Sequence, residues 1–209
     1  MAQRYNKKEV KKKLAEGRLE DFEFPPKEKF PSKFNKGVAF TRVNFNSPLF
    51  WGGILGGKMI FIDCSFEDCN LDGINGRRVV FENCSFKNCI LAKEDYSKFY
   101  KSSFKNCVFE ENTILGILIT DCSIENCKFL ERSVDNVWLR DCDLKSVIFC
   151  GRYFQFFVFG CTLNDVDFSN ALLTKVSFYQ CSVSSASFPD SPDCFCIDPS
   201  IFEKAKSIL

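Results

Sequence analysis

The sequence predicts an all-β solenoid whose coils have four short sides, and three observations predict it. A central Phe, Leu, Ile or Val recurs every five residues through most of the 209-residue chain. Cysteines recur at twenty: Cys64 with Cys84, Cys69 with Cys89, Cys107 with Cys127, Cys122 with Cys142, and Cys161 with Cys181. Ten cysteines stand two residues before one of the central apolar residues. A period of five nested in one of twenty matches neither the 3.6-residue helical repeat nor the two-residue repeat of a strand. It does match a coil of four sides with five residues each.

The chain divides into three parts. Residues 1–36 read as an N-terminal helical cap and lead-in. Within them 6–17 form a short helix, with Asn6 as N-cap, Gly17 just past the end and Val10 and Leu14 on one face. Residues 18–36, rich in Pro and Lys, read as an extended lead-in. Residues 37–190 carry the repeat. Residues 191–209 read as a C-terminal capping helix: Asp198 caps it, Pro199 starts it, and Ile201, Ala205 and Ile208 make one stripe. Caps of this kind seal the strand edges that a solenoid leaves open at each end.

Centres run Phe40, Phe45, Phe50, Leu55, then Phe61, Phe66, Leu71, then Phe81, Phe86, Leu91. They resume at Phe99, Phe104, Phe109 and continue on the same beat through Phe129, Phe149 and Phe154, and then from Leu163 through Phe168 and Phe178 to Phe188. Three slips interrupt the count: one extra residue near Ile60, two missing within 92–98, and one missing within 155–162. With these slips, one column of centres reads Phe45, Phe66, Phe86, Phe104, Ile124, Leu144, Leu163, Val183. Its small inward partners are Cys64, Cys84, Ser102, Cys122, Cys142, Cys161 and Cys181. The next column, with Phe109, Phe129, Phe149 and Phe168, is preceded by Cys69, Cys89, Cys107 and Cys127. No coil can bury its own Phe, so stacking must build one continuous core. At the usual strand spacing of ~4.8 Å the rod is on the order of 36 Å long.

This pattern resembles the pentapeptide repeat family, whose repeat is A-(D/N)-L-x-x. The resemblance rests on Asp63-Cys64-Ser65-Phe66-Glu67, Asn83-Cys84-Ser85-Phe86-Lys87 and Ala186-Ser187-Phe188. It covers roughly residues 37–190 and departs by using Cys where Ala is commonest. It implies a right-handed quadrilateral β-helix, a C-terminal cap that often mediates dimers, and no catalytic activity. The best-known role in the family is to bind DNA gyrase or topoisomerase by imitating DNA, in quinolone or toxin protection.

Several chemistries are weighed against plain packing. The inward cysteines form ladders, whereas structural zinc needs four ligands converging on one point, so no metal is expected and they read as small apolar filler. Cys150, Cys194 and Cys196 fall outside the ladders. Gly52 to Lys58 matches G-x-x-x-x-G-K, but Met59 stands where a phosphate-binding loop needs Ser or Thr for magnesium; a Gly-rich corner explains it better, and no cofactor is expected. The chain has no histidine, which removes the commonest general base. No enzyme activity is expected.

One column breaks the small-residue rule with Asn112, Arg132 and Arg152. Together with Trp138 and Tyr153 these are the candidate partner face. Ile201, Phe202 and Leu209 are the candidate dimer contact. The chain has 28 basic and 27 acidic residues, net +1. Residues 1–36 hold 11 basic and six acidic residues, and 37–209 hold 17 and 21. A faithful DNA mimic should be strongly acidic, since duplex DNA carries one charge per ~1.7 Å. No apolar run approaches the ~18 residues of a membrane span, and the start has no apolar stretch of a signal peptide. The reading is a cytoplasmic, non-catalytic protein-binding or scaffold module with an unknown partner. Its alternative is a gyrase or topoisomerase regulator; direct nucleic-acid binding is not expected.

Overall fold

The computed structural model describes residues 7–24, 37–46, 54–55 and 58–189. The proposed C-terminal cap with Ile201, Phe202 and Leu209, as well as Asn6, Phe50, Cys194, Cys196 and most of the Gly52–Lys58 motif, lie outside the described residues. Within them one helix, α1 (Lys7–Glu16), precedes short strands that pair in parallel with the coil before and the coil after. The strands make a β-solenoid of about seven turns.

Each side is built alike. Three residues extend, the middle one inward; the next turns the corner in the left-handed region; the one after points inward again. At Ser65–Glu67, Phe66 is buried, Asp68 turns with φ of 53°, and Cys69 is buried. Side chains other than Asn and Asp tolerate that region poorly. Among the described residues, 11 of the 20 non-glycine residues at positive φ are Asn or Asp. The Asp-Cys and Asn-Cys dipeptides therefore have a division of labour: one residue turns the chain and the other fills the interior. The corner amides also stack. Asn83 Nδ2 donates to Asp63 Oδ1 at 2.9 Å, Asn106 Nδ2 to Asn83 Oδ1 at 2.9 Å, and Asn126 Nδ2 to Asn106 Oδ1 at 3.2 Å.

Cysteine adds to alanine a larger volume and a weak donor. Cys64, Cys84 and Cys107 each donate Sγ–H to a carbonyl of the coil before, that of Phe40, Phe61 and Phe81, at 3.5 Å. Contact with neighbouring thiols, followed by burial, pushes the thiols of Cys69, Cys84, Cys122, Cys127 and Cys161 up. They sit protonated as packing groups.

The second side carries a column of parallel rings. Phe66–Phe86, Phe86–Phe109, Phe109–Phe129, Phe129–Phe149 and Phe149–Phe168 lie at 4.6, 4.7, 4.6, 5.0 and 4.7 Å, all within 6° of parallel. The spacing is that of adjacent strands. The first side stacks Phe40, Phe61, Phe81 and Phe104, continued by Ile124, Leu144, Leu163 and Val183. Phe178, on the fourth side, is fully buried.

Three points of register differ from the sequence reading. Phe104 stacks on Phe81, and Phe86 on Phe109, so segment 92–98 holds three extra residues rather than two too few. On a beat of five these are equivalent, and they differ by one whole side. Cys64, Cys84, Cys107 and Cys127 consequently form one ladder, while Ser102, Cys122, Cys142, Cys161 and Cys181 belong to another. The three extra residues are held by Asp72, which is buried and accepts from the backbone N–H of Lys93, Glu94 and Asp95 at 2.7, 3.1 and 3.3 Å.

The later slip lies not within 155–162 but opposite Glu131–Ser133, where Phe129 pairs with Phe149 yet Val134 pairs with Tyr153. Tyr153, not Phe154, is thus the inward residue, 3% exposed. Finally, strand pairing starts before residue 37: Arg18–Phe24 pairs with Ala39–Asn46, Leu19 on Phe40 and Phe24 on Phe45. The extra residue near Ile60 stands as expected, between Leu55 and Ile60. Helix α1 closes this end by burying Val10, with Leu14 packed against the core.

Candidate functional site

The corrected register defines a fourth side with an unusual outer surface. Its strands are Asn75–Arg77, Ser97–Tyr100, Ile117–Thr120, the ends of Lys128–Arg140 and Asp143–Phe159, and Ser177–Tyr179. One outward column reads Asn75, Lys98, Leu118, Trp138, Phe157, Ser177. The other reads Arg77, Tyr100, Thr120, Arg140, Phe159, Tyr179. Twelve outward residues thus hold three cations, five aromatics and no carboxylate. The first side, by contrast, alternates signs, with Lys145 paired to Glu125 at 3.3 Å.

The aromatics are fixed in place. Trp138, 44% exposed, tilts over Phe157 with centroids 4.4 Å apart. Its Nε1–H donates to Asn136 Oδ1 at 3.0 Å, and Asn136 Nδ2 donates to the Tyr96 hydroxyl. The Tyr96 ring, half exposed, lies against Gly116, where any Cβ would approach it to 3.1 Å. Phe159 and Tyr179 stack at 5.4 Å. A Trp and two Tyr held rigidly at a surface have the composition of interface anchors.

Most of the cations gather at the other end, while Arg140 lies in the coil of Trp138, paired with Asp141 at 3.3 Å. Arg77 and Lys101 sit 5.5 and 5.0 Å from the centre of the Tyr100 ring. Arg78 and Lys101 occupy successive corners of the same edge, with φ of 57° and 51°. Arg77, Arg78, Lys98 and Lys101 are all exposed. None has an ion-pair partner among the described residues. Two like charges about 6 Å apart in water repel by only ~0.7 kcal/mol, which a fold can carry.

The third side holds a second polar arrangement, inside the wall. Asn112 and Tyr153 were expected on a partner face; both are buried and unavailable to a partner. Asn112 Oδ1 accepts from Cys89 N–H at 2.8 Å, and its Nδ2 donates to Phe86 O at 3.1 Å. Glu131, 3% exposed, replaces Arg132 as the inward residue. Its carboxylate accepts from Asn112 N–H at 2.6 Å and Nδ2–H at 2.8 Å. Arg132 turns outward to Glu111 at 2.6 Å, and Arg152 is exposed. A swap of neighbours thus resolves the expected buried charge: the carboxylate that can meet two N–H donors goes in. Trp138, the remaining member of the expected face, stands on the fourth side, apart from both arginines.

Burial pushes the Glu131 carboxyl above its ordinary value of 4.5; its bonds to Asn112 oppose the rise, and Glu110 and Glu111 add to it. Its protonated form is favoured by folding, so the stability it contributes is full below the unfolded pKa. That contribution is lost as pH rises through the folded one. Glu131→Gln is therefore expected to flatten the stability profile: melting from pH 4.5 to 7.5 should favour wild type most at the acid end. A wild-type-to-variant gap constant across that range would show that Glu131 titrates alike in both states.

Among the described residues no three His, Cys, Asp or Glu side chains are grouped as a metal site, and no helix is long and apolar enough to cross a membrane.

Residues 60–93 and 159–188 match the family model for pentapeptide repeats, in eight copies. Three solved structures are similar to this chain at low identity. A trypsin-treated form of QnrB1, described as a plasmid-mediated fluoroquinolone resistance protein, is 19% identical, covering 87% of this chain and 92% of that one with a TM-score of 0.42. HetL, a pentapeptide repeat protein involved in heterocyst differentiation regulation from the cyanobacterium Nostoc sp. strain PCC 7120, is 10% identical. It covers 91% of this chain and 100% of that one, with a TM-score of 0.24. Rfr23, a pentapeptide repeat protein from the cyanobacterium Cyanothece 51142, is 12% identical over 84% of this chain and 99% of that one, with a TM-score of 0.20. Likeness of that degree says nothing about a shared role. No curated protein matches. The repeat match and the coil-by-coil geometry agree: residues 60–93 and 159–188 carry pentapeptide repeats within a β-solenoid of about seven turns.

Proposed function

We propose that this chain is a non-catalytic protein-binding or scaffold rod that presents the fourth side of its solenoid to another protein. The observation that carries the reading is the Tyr96–Asn136–Trp138 arrangement, in which hydrogen bonds hold exposed aromatics on a stiff sheet. Preorganised aromatic anchors lose little freedom on binding, so more of the contact energy appears as affinity. Self-association through Ile201, Phe202 and Leu209 would add a second contact surface to the same rod.

No observation favours imitation of DNA, because the fourth side presents cations where a duplex presents phosphates. The test is affinity capture from the source organism's lysate with reduced wild-type protein at physiological salt. Reconstitution of any retained protein with the purified chain follows. A stoichiometric complex that Trp138→Ala weakens at least tenfold is the expected result; a surface that retains no protein would sink the reading.

A further inference from the structure

We propose that the fourth side takes an acidic segment of its protein partner, with carboxylates on the Arg77–Lys101 end and an apolar side chain on the Trp138–Phe157 pair. The inference rests on the protein-binding reading and adds the chemistry of the partner.

Charge complementarity is the first argument. The chain is close to neutral, yet Arg77, Arg78, Lys98 and Lys101 share two successive coils, since Arg77 pairs with Tyr100 and Asn75 with Lys98. Among the described outward residues of that side there is no carboxylate; Asp121 and Asp141 stand at corners of the next two coils, and Glu94 and Asp95 precede Ser97–Tyr100 at the opposite edge. Asp141 is engaged by Arg140 at 3.3 Å. A carboxylate-bearing partner would meet uncompensated cations at this end. Arg77 and Lys101 each lie against the Tyr100 ring, at 5.5 and 5.0 Å from its centre.

Spacing is the second argument. Lys98, Leu118 and Trp138 are successive neighbours in one column, so the cationic end and the Trp138 ring lie two strand spacings apart, roughly 10 Å. An extended peptide covers that in about three residues. The partner should therefore carry its apolar anchor about three residues from its acidic run. A single-stranded nucleic acid fits less well. It needs cations along its whole track and free aromatic faces for its bases, whereas here the side's outward cations without an acidic partner lie at one end, the Trp138 ring is tilted over Phe157 and the Phe159 ring is stacked on Tyr179.

The experiment uses the full, reduced chain and a fluorescein-labelled peptide with four glutamates and, three residues on, a Leu-Leu pair. Fluorescence anisotropy is read at low and at 300 mM salt. Expected is saturable binding that weakens with salt and falls at least tenfold in Arg77→Glu/Arg78→Glu and in Trp138→Ala. It should survive in Lys87→Glu/Lys105→Glu, a reversal of equal charge on the other sides. All variants are at exposed positions, and circular dichroism verifies their fold. Absence of binding at millimolar peptide, equal loss in the Lys87/Lys105 control, or tighter binding of a twelve-residue oligothymidylate would each overturn the proposal. So would a dimer in sedimentation that Arg77→Glu/Arg78→Glu dissociates, because the occupant would then be a second copy. If a lysate partner binds wild type and Arg77→Glu/Arg78→Glu equally, the protein-binding reading stands and this inference fails.

Discussion

Phe86→Asp is expected to unfold the solenoid outright. Phe86 is 3% exposed, lies between the rings of Phe66 at 4.6 Å and Phe109 at 4.7 Å, and meets Phe81 edge-on at 5.3 Å. Truncating a buried Phe costs about 3–5 kcal/mol, and each ring pair contributes a further ~0.5–1.5. Adding an unpaired carboxylate raises the loss above the ~5–15 kcal/mol that a domain of this size has in total. In a stacked array each coil is held only by its neighbours, so the damage lands on both the coil below and the coil above. The far-ultraviolet circular dichroism of the variant should lose its strand signal at 25 °C, while Phe86→Leu should keep it with a lowered melting temperature. A folded Phe86→Asp variant would mean that the Phe column is not a continuous core.

Gly151→Ala should destabilise by more than ~3 kcal/mol, a large effect for one methyl group. Gly151 has φ of +109°, and a Cβ there would lie 1.6 Å from the Glu131 carbonyl oxygen and 2.8 Å from its carbon. The obstacle is backbone, which cannot swing aside as a side chain can. Relief would require separating two coils at the one place where the count is already short by a residue. The left-handed conformation adds ~1–3 kcal/mol of its own for any residue with a Cβ. Thermal and denaturant melts of Gly151→Ala against wild type measure the effect. A shift of less than about 2 °C would show that the corner opens freely and would remove the reason for glycine at 151.

The sequence made the side length, the inward pair of small and large residues, and the capping helix α1 legible, because burial acts on each five-residue unit separately. Cys64, Phe66, Cys84 and Phe86 announce themselves in that way. What it could not settle was the coil length, which depends on the sum of residues around a turn. Between Leu91 and Phe99 the beat is consistent with either count. The decision rests on Asp72, whose side chain gathers three N–H groups of the added segment. No periodicity registers that contact.

Tyr153 and Phe154 pose the same problem at smaller scale, since either ring fits a core and only the backbone approach at Gly151 selects between them. The candidate face was lost through the count. Displaced by one side, Arg77, Tyr100, Arg140, Phe159 and Tyr179 look scattered over the surface. In the true register they lie in one line. Glu131 was hidden for a different reason: charged residues read as outward, and nothing in its own neighbourhood names Asn112, nineteen residues away, as its partner.

The equivalence of three residues gained and two lost also bears on how such a rod diversifies. Gaining or losing one whole five-residue side keeps the interior pattern of small over small and large over large. Everything downstream, however, rotates by a quarter turn about the axis. The lower cationic end would then line up with a different upper surface, the Asn ladder would meet new neighbours, and the aromatic patch would face another way. A lineage of such chains can recombine its exteriors by slippage alone, reaching new combinations of the same surfaces without passing through an unfolded ancestor.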